Sequence, residues 1–285
     1  MLGFCLLNLF IPNNPDELIL NGNHGEWRLA KDVDFDNKLQ TITSKRTICL
    51  ETYTITHDHS LGGSGSSRIA DELLKELNYV CLSLSYLTGS AVTFERSLPM
   101  SDITFIQVGD SFPRMRGLSS SDPVTFDQYD FKEKLDTMIN AFERNQNTNN
   151  INIIIHHLLD STYCWSLEDL FLSLCTVLEI IKQNERRRTG NSRLYFYDSI
   201  ASVARHLGIT VLNEDFKNMR NDLIHEGHLS KIKFSGHTKS ECSDVVCDVL
   251  NWIDEYVHAI FSLGDVKNTR YPRNTLSGLN SYTTW

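Results

Sequence analysis

The period of the hydrophobic pattern changes once along this chain, and that change limits what the chain can fold into. Ahead of residue 111, apolar side chains mostly alternate with polar ones or run in short β-branched stretches; beyond residue 124 they recur every three to four positions. Period two belongs to strands with one buried face, and period 3.6 to helices with one apolar stripe. The chain is therefore read as α+β: a strand-rich α/β N-terminal domain over 1–110, then an all-α helical bundle over 125–263. Between them, 111–124 carries Pro113, Gly117, Ser119–Ser121 and Pro123, and is read as a linker.

Within the first part, strands are expected over 1–11 and 47–56, with a hairpin through 18–20 and 27–29 around Asn21, Gly22 and Asn23. A Gly/Ser-rich loop over 61–67 should lead into a helix over 68–87, capped by Ser67 and stopped at Gly89. Short strands follow at 91–95 and 103–108. In the second part, helical windows fall at 126–145, 166–184, 193–207, 214–226 and 241–263. The run 151–159 is ambiguous, because Ile153, Ile154 and Ile155 suit a strand as well. The window at 166–184 carries Leu167, Leu170, Phe171, Leu174, Val177, Leu178 and Ile181, with Ser166 and Asp169 in a capping arrangement, and is expected to be the central helix. Residues 264–285 contain Pro272 and lack periodicity, and are read as an extended tail.

Composition sets the outer limits. Of 285 residues 41% are hydrophobic and 22% charged, which permits a sizeable core and excludes wholesale disorder. The net charge of −9 excludes a surface that is basic all round, though not a local basic patch. Seven cysteines, an odd number without a CxxC pair, point to reduced thiols rather than a secreted disulfide framework. The apolar start lacks a basic leader and reaches Pro12 quickly, so a cytoplasmic protein with no membrane partner is expected. No cofactor or metal is expected: His57, Asp58 and His59, and the pair His156 and His157, have no second ligand cluster, and the loop at 62–67 lacks a Walker lysine.

The residues that stand out are Arg220, Asn221 and His225, in a window that continues through Glu226, Gly227 and His228. An Arg followed by a His at this spacing arises readily by chance, so its setting must carry the information. The window lies on an expected helix that starts near Asn213 and stops at Gly227. At about 100° per residue, Phe216, Met219, Leu223 and Ile224 cluster on one arc, expected to face the core. Asn221 and His225 lie almost opposite, and Arg220 sits at the edge of the arc, from which it can snorkel toward the histidine's surface. The alternative is that Arg220 pairs with Asp222 or Glu226 while His225 merely occupies a helix end.

This arrangement resembles the HEPN superfamily, specifically its ribonuclease members, whose signature is an Arg, usually followed by a polar residue, then a His four to six residues on within a helical bundle. Arg220, Asn221 and His225 fill those places, and the resemblance covers roughly 125–263. Residues 1–110, including the run from Leu82 to Gly89, resemble more loosely the N-terminal region of ApeA-type HEPN proteins of bacterial defence. The resemblance implies a metal-independent endoribonuclease acting as a homodimer, with two copies of Arg220 and His225 in one cleft. It would leave 2′,3′-cyclic phosphate and 5′-hydroxyl ends, in antiphage defence or growth arrest, under a regulatory trigger or antitoxin partner. The chemistry suits the pair: histidine titrates near neutrality and serves as base or acid, and arginine offers a permanent cationic fork to phosphate oxygens. Which copy acts as base stays open, and Asn221 is the natural orienting residue. The alternative within the same resemblance is a non-catalytic bundle used for dimerisation or for binding a nucleotide or partner protein.

Charge distribution accords with an RNA partner. Residues 182–239 hold eleven basic and six acidic side chains, a net of +5, which leaves −14 for the rest. Arg186, Arg187, Arg188 and Arg193, expected around the loop between two bundle helices, and Lys231 and Lys233 beyond the motif, are the candidate RNA contacts. The arginine run reads equally as a basic cluster satisfying a helix C-terminus. Tyr195, Phe196 and Tyr197 either stack on bases or belong to the core.

Overall fold

The computed structural model describes residues 1–45, 50–58, 66–99, 101 and 122–283. The protein is α+β, as the change of period implies. It divides into two compact units, Met1–Arg144 and Asn145–Trp285. The strand expected at 103–108 and most of the expected linker lie outside the described residues.

The first unit is built on a five-stranded antiparallel sheet in the order β2-β3-β4-β1-β5, from β1 (Leu2–Leu7), β2 (Glu17–Gly22), β3 (Gly25–Lys31), β4 (Glu51–His57) and β5 (Thr93–Ser97). Strand β1 has a partner on each edge and is buried along its whole length, so its side chains are covered on both faces of the sheet. In the outer hairpin the alternation is clean: Leu18 and Leu20 of β2 and Trp27 and Leu29 of β3 are buried. The hairpin lies where the alternation places it, with Gly22 paired to Gly25 and Asn23 and His24 forming the two-residue turn. Gly25 takes φ 131°, a conformation open to glycine and strained for other residues.

Helix α1 (Phe35–Lys45), which is not among the expected helices although Phe35, Leu39 and Ile42 recur at helical spacing, precedes β4, and α2 (Ser66–Thr88) ends at Gly89 in the left-handed region (φ 69°). Glu76 of α2, 2% exposed, accepts hydrogen bonds from the Trp27 indole (2.8 Å) and the Asn23 backbone N–H, and so fastens the hairpin turn. Helix α3 (Gln128–Asn149) belongs over most of its length with this unit, not with the helices that follow: Phe142 stacks on Tyr79 at 4.5 Å, and Asp136 accepts from Asn21 through backbone (3.0 Å) and side chain (2.8 Å).

The second unit comprises α4 (Ile151–Ser161), α5 (Leu167–Thr189), α6 (Phe196–Leu207), α7 (Asp215–Glu226) and α8 (Lys239–Phe261). The ambiguous isoleucine run is helix α4. Ile151, Ile154, Ile155, Leu158 and Leu159 are buried at helical spacing, and that burial outweighs the strand preference of β-branched side chains. Helix α5 touches α4, α6, α7 and α8 and is the central helix expected from its composition, capped by Ser166, whose hydroxyl accepts from the Asp169 N–H at 3.1 Å. Helix α8 opens on a capping box formed by Thr238 and Glu241.

The segment after α8, expected to be a loose tail, runs back along that helix as a strap. Arg270 (5% exposed) forms a buried ion pair with Asp254 (2%), Tyr271 exchanges hydrogen bonds with Asn251, and Arg273 pairs with Asp248. Beyond a 3-10 turn at Thr275–Gly278, Glu168 of α5 accepts from the Tyr282 and Thr283 N–H groups and from the Ser281 and Thr283 hydroxyls at 2.6–3.1 Å. Polar composition suggests solvent exposure; these residues are instead polar because they bond to carboxylates and amides of α5 and α8. Removing one partner from a buried ion pair leaves the other charge unpaired. Arg270→Ala is therefore expected to destabilise the protein by about 3–5 kcal/mol in urea unfolding, whereas Arg273→Ala, at an exposed pair, is expected to cost under about 1 kcal/mol.

Candidate functional site

The site is carried by α7 and the loop behind it. The helix forms where the sequence places it and stops at Gly227 (φ 73°), whose N–H bonds to the Leu223 carbonyl. Its orientation differs from the apolar arc in one respect. Phe216 and Met219 are buried, but Ile224 is 47% exposed, and Asp222, at 1%, takes an inward position.

The cause is the chain immediately downstream. Residues 231–234 fold back on α7, and the Asp222 carboxylate accepts from the backbone N–H groups of Lys231, Ile232, Lys233 and Phe234 at 2.9–3.0 Å. Burial opposes ionisation of Asp222, but the four donors outweigh it and hold the carboxyl below its ordinary pKa. The loop is closed at its start by Leu229, whose N–H donates to the Thr283 hydroxyl at 3.2 Å. At its far end the Ser230 hydroxyl bonds the Phe234 and Gly236 carbonyls, and a Cβ on Gly236 would meet the Phe234 ring at 2.5 Å.

Arg220 does not reach toward His225, nor does it pair with Asp222 or Glu226. Its guanidinium turns to α5, where it donates to Glu179 at 2.8 Å, and it lies over the Phe196 ring at 4.6 Å. Glu179 also binds Lys182 at 2.7 Å, so two cations share one carboxylate. The Arg220 Nε is buried without a hydrogen-bond partner. Nearby, burial pushes the Cys175 thiol up to about 12, against the opposing pull of Arg220, so it is a neutral thiol and no nucleophile. Asn221 is half-buried and His225 exposed, and among the described residues neither side chain forms a hydrogen bond. The helix thus carries all three motif residues while directing Arg220 and His225 to different surroundings.

The basic residues separate in the same way. Arg186, Arg187 and Arg188 lie in the last turn of α5, which runs to Thr189, and not on the loop. Arg186 donates to the Leu194 carbonyl and fixes the following loop; Arg187 bonds Asn184; Arg188 makes a two-pronged pair with Glu185 at 2.7 Å. Arg193 and Lys233 are exposed and form no ion pair among the described residues, and Lys231 lies 3.8 Å from Glu226. Phe196 and Tyr197 pack on Phe216 at 5.6 and 6.1 Å, while Tyr195 is 79% exposed, so that aromatic run is divided between interior and surface.

Asp222 and Glu179 are parts of the site that the sequence does not single out. Asp222 reads there only as an ion-pair partner; it lies about 60° beyond Met219, continuing the three-residue spacing of Phe216 and Met219, and that spacing is the one signal that points to it. Among the described residues no three His, Cys, Asp or Glu side chains gather as a metal site, and no helix is long and apolar enough to cross a membrane. The six described cysteines are unbonded. No protein-family model, curated protein or solved structure matches the chain.

Because Asp222 is held ionised in the folded state, its contribution is fully present above the ordinary aspartate value of 3.8 and is lost as pH falls through the lower, folded value. Hydrogen-exchange protection of amides 231–234 is expected to hold down to the ordinary aspartate value of 3.8 and to fall as pH is lowered below it, ahead of the amides of α5. In Asp222→Asn the same amides are expected to be weakly protected at every pH, with no acid-dependent step.

Proposed function

We propose that the protein is a metal-independent endoribonuclease of the HEPN type, acting as a homodimer on RNA. The observation that carries this reading is the end of α7: Asn221 and His225, one turn apart on one face, have no competing hydrogen bonds among the described residues, and the cationic loop bearing Lys231 and Lys233 folds against the same turn. A solvent-accessible imidazole can take a proton from a ribose 2′-hydroxyl. The 2′-oxygen then bonds to phosphorus as the bond from phosphorus to the 5′-oxygen breaks. The imidazolium of a second copy supplies the proton that leaves with the 5′-hydroxyl, and the other product is a 2′,3′-cyclic phosphate. Arg220 stabilises charge on the phosphorus oxygens, once its bond to Glu179 is exchanged for one to phosphate. The setting is the cytoplasm of a bacterium in antiphage defence or growth arrest, with residues 1–110 receiving the trigger.

One observation favours a second reading, a non-catalytic HEPN bundle that binds a partner or nucleotide. Arg220 already has a carboxylate and an aromatic ring as neighbours, the environment of a structural arginine. The two readings separate in one assay. Purified protein is incubated with mixed RNA in excess EDTA, and fragment ends are analysed. Wild type is expected to leave cyclic phosphates, with His225→Ala slower by at least about 100-fold and Arg220→Ala by about 100- to 1,000-fold. RNA that is bound by all three proteins and cut by none, in the presence of phage lysate as in its absence, assigns the bundle to binding.

A further inference from the structure

We propose that Asp222 is the positioning residue for a cationic grip, residues 229–234, that holds nucleic-acid phosphates beside His225. The inference rests on the RNA reading above and assigns to one carboxylate a role that no part of the motif supplies. Four consecutive backbone N–H groups that converge on one point form an anion nest. Here the nest is filled from within by a side chain of the motif helix. With its backbone drawn inward, the loop turns its side chains outward: Ile232 is 68% exposed, and Lys231 and Lys233 stand exposed on either side of it.

The register follows from helix geometry. Asp222 lies three residues before His225, about 60° around the helix axis and about 4.5 Å along it. A loop gripped at Asp222 must therefore lie against the turn that carries the imidazole. The approach of Lys231 to Glu226 at 3.8 Å places the loop on that same turn. Leu229, tied to Thr283, fixes where the loop begins, and the crowded Phe234 and Gly236 fix where it ends; between them the backbone N–H groups of residues 231–234 are held by Asp222. Two lysines two residues apart, on a backbone that cannot swing, match successive phosphates of a single strand better than the same lysines on a free loop, because less ordering is required on binding.

The test uses the full chain and a fluorescein-labelled single-stranded RNA of mixed sequence, with binding followed by anisotropy across a salt series. Each phosphate that the protein ceases to neutralise lowers the slope of log affinity against log salt by about 0.7, so Lys231→Ala with Lys233→Ala defines a reference decrease of about 1.4. Asp222→Asn and Asp222→Ala are each expected to give the same decrease although both lysines remain. Adding the two lysine substitutions to Asp222→Asn is expected to take the slope no lower. Deleting a negative charge would by itself strengthen RNA binding, so weaker binding has to come through the loop. Asp222→Asn keeps one carbonyl acceptor and nearly the same shape, and serves if the alanine variant does not fold. A lowered melting temperature with a wild-type slope overturns the proposal, as do slope decreases that simply add. A wild-type protein that binds RNA with a slope indifferent to both lysines overturns the proposal and spares the RNA reading. A wild type that does not bind RNA overturns both.

Discussion

A backbone N–H withdrawn from water and not engaged in a helix or sheet needs another acceptor, and leaving it without one costs about 1–3 kcal/mol. In this protein three buried carboxylates meet that need where the chain is irregular. Glu76 takes the turn of the outer hairpin, Glu168 takes residues 281–283, and Asp222 takes residues 231–234. Glu168 and Asp222 are each pulled toward the neutral form by burial and held below the ordinary carboxylate pKa by their donors, so the segments they fasten are fastened most firmly when the carboxylates are charged. Each carboxylate is a buried residue of a packed helix, so the position of an irregular segment is inherited from the position of that helix.

Much of the architecture was legible because it depends on pattern. Alternation specified the hairpin, and helical spacing specified α5 and α7 to within a few residues, because burying one face selects one period. What the pattern could not convey was long-range polar pairing. The strap after α8 looks like solvated chain, since Arg270, Arg273 and Thr283 are residues of surfaces; only the folded molecule brings Asp254, Asp248 and Glu168 opposite them. Helix α3 has an apolar stripe that fits any core, and its place with the first unit depends on Tyr79 and Asn21, more than fifty residues away. The placement of α4 shows the reverse: a strand-like composition gives way when the buried positions recur with helical spacing.

Charge counting along the sequence also needs the structure to be interpreted. The net +5 of residues 182–239 treats every cation as available, yet Lys182 and Arg220 share Glu179, Arg188 is paired with Glu185, Lys217 with Glu214, and Arg186 bonds the Leu194 carbonyl. The run of three arginines, the most conspicuous cations in the sequence, is largely occupied in finishing α5 and holding the loop after it. Elsewhere in the stretch Arg193 and Lys233 form no ion pair among the described residues, and Lys231, on the loop that Asp222 fixes, makes only the 3.8 Å approach to Glu226. Where a charge is held decides what it can meet, and Lys231 and Lys233 are held on a loop whose backbone N–H groups bond to Asp222.

The same helix geometry bears on how the motif residues would work together. Arg220 and His225 are five positions apart, about 140° around α7 and about 7.5 Å along it, and the arginine is already turned to α5. One copy therefore does not close both groups around one phosphate in this conformation. On the ribonuclease reading, two copies related by a two-fold axis near the end of α7 would bring His225 to His225 and so supply the base and acid that one copy lacks. The arginine then has to exchange partners. Its carboxylate is 31% exposed and shared with Lys182, so the pair is a weak one by the standard of buried ion pairs. A phosphate carrying a developing second charge in the transition state competes better for a guanidinium than a shared, half-solvated carboxylate does. On the ribonuclease reading, Arg220 is thus held by Glu179 in the ground state and drawn to the phosphate as charge develops, an interaction stronger in the transition state than before it.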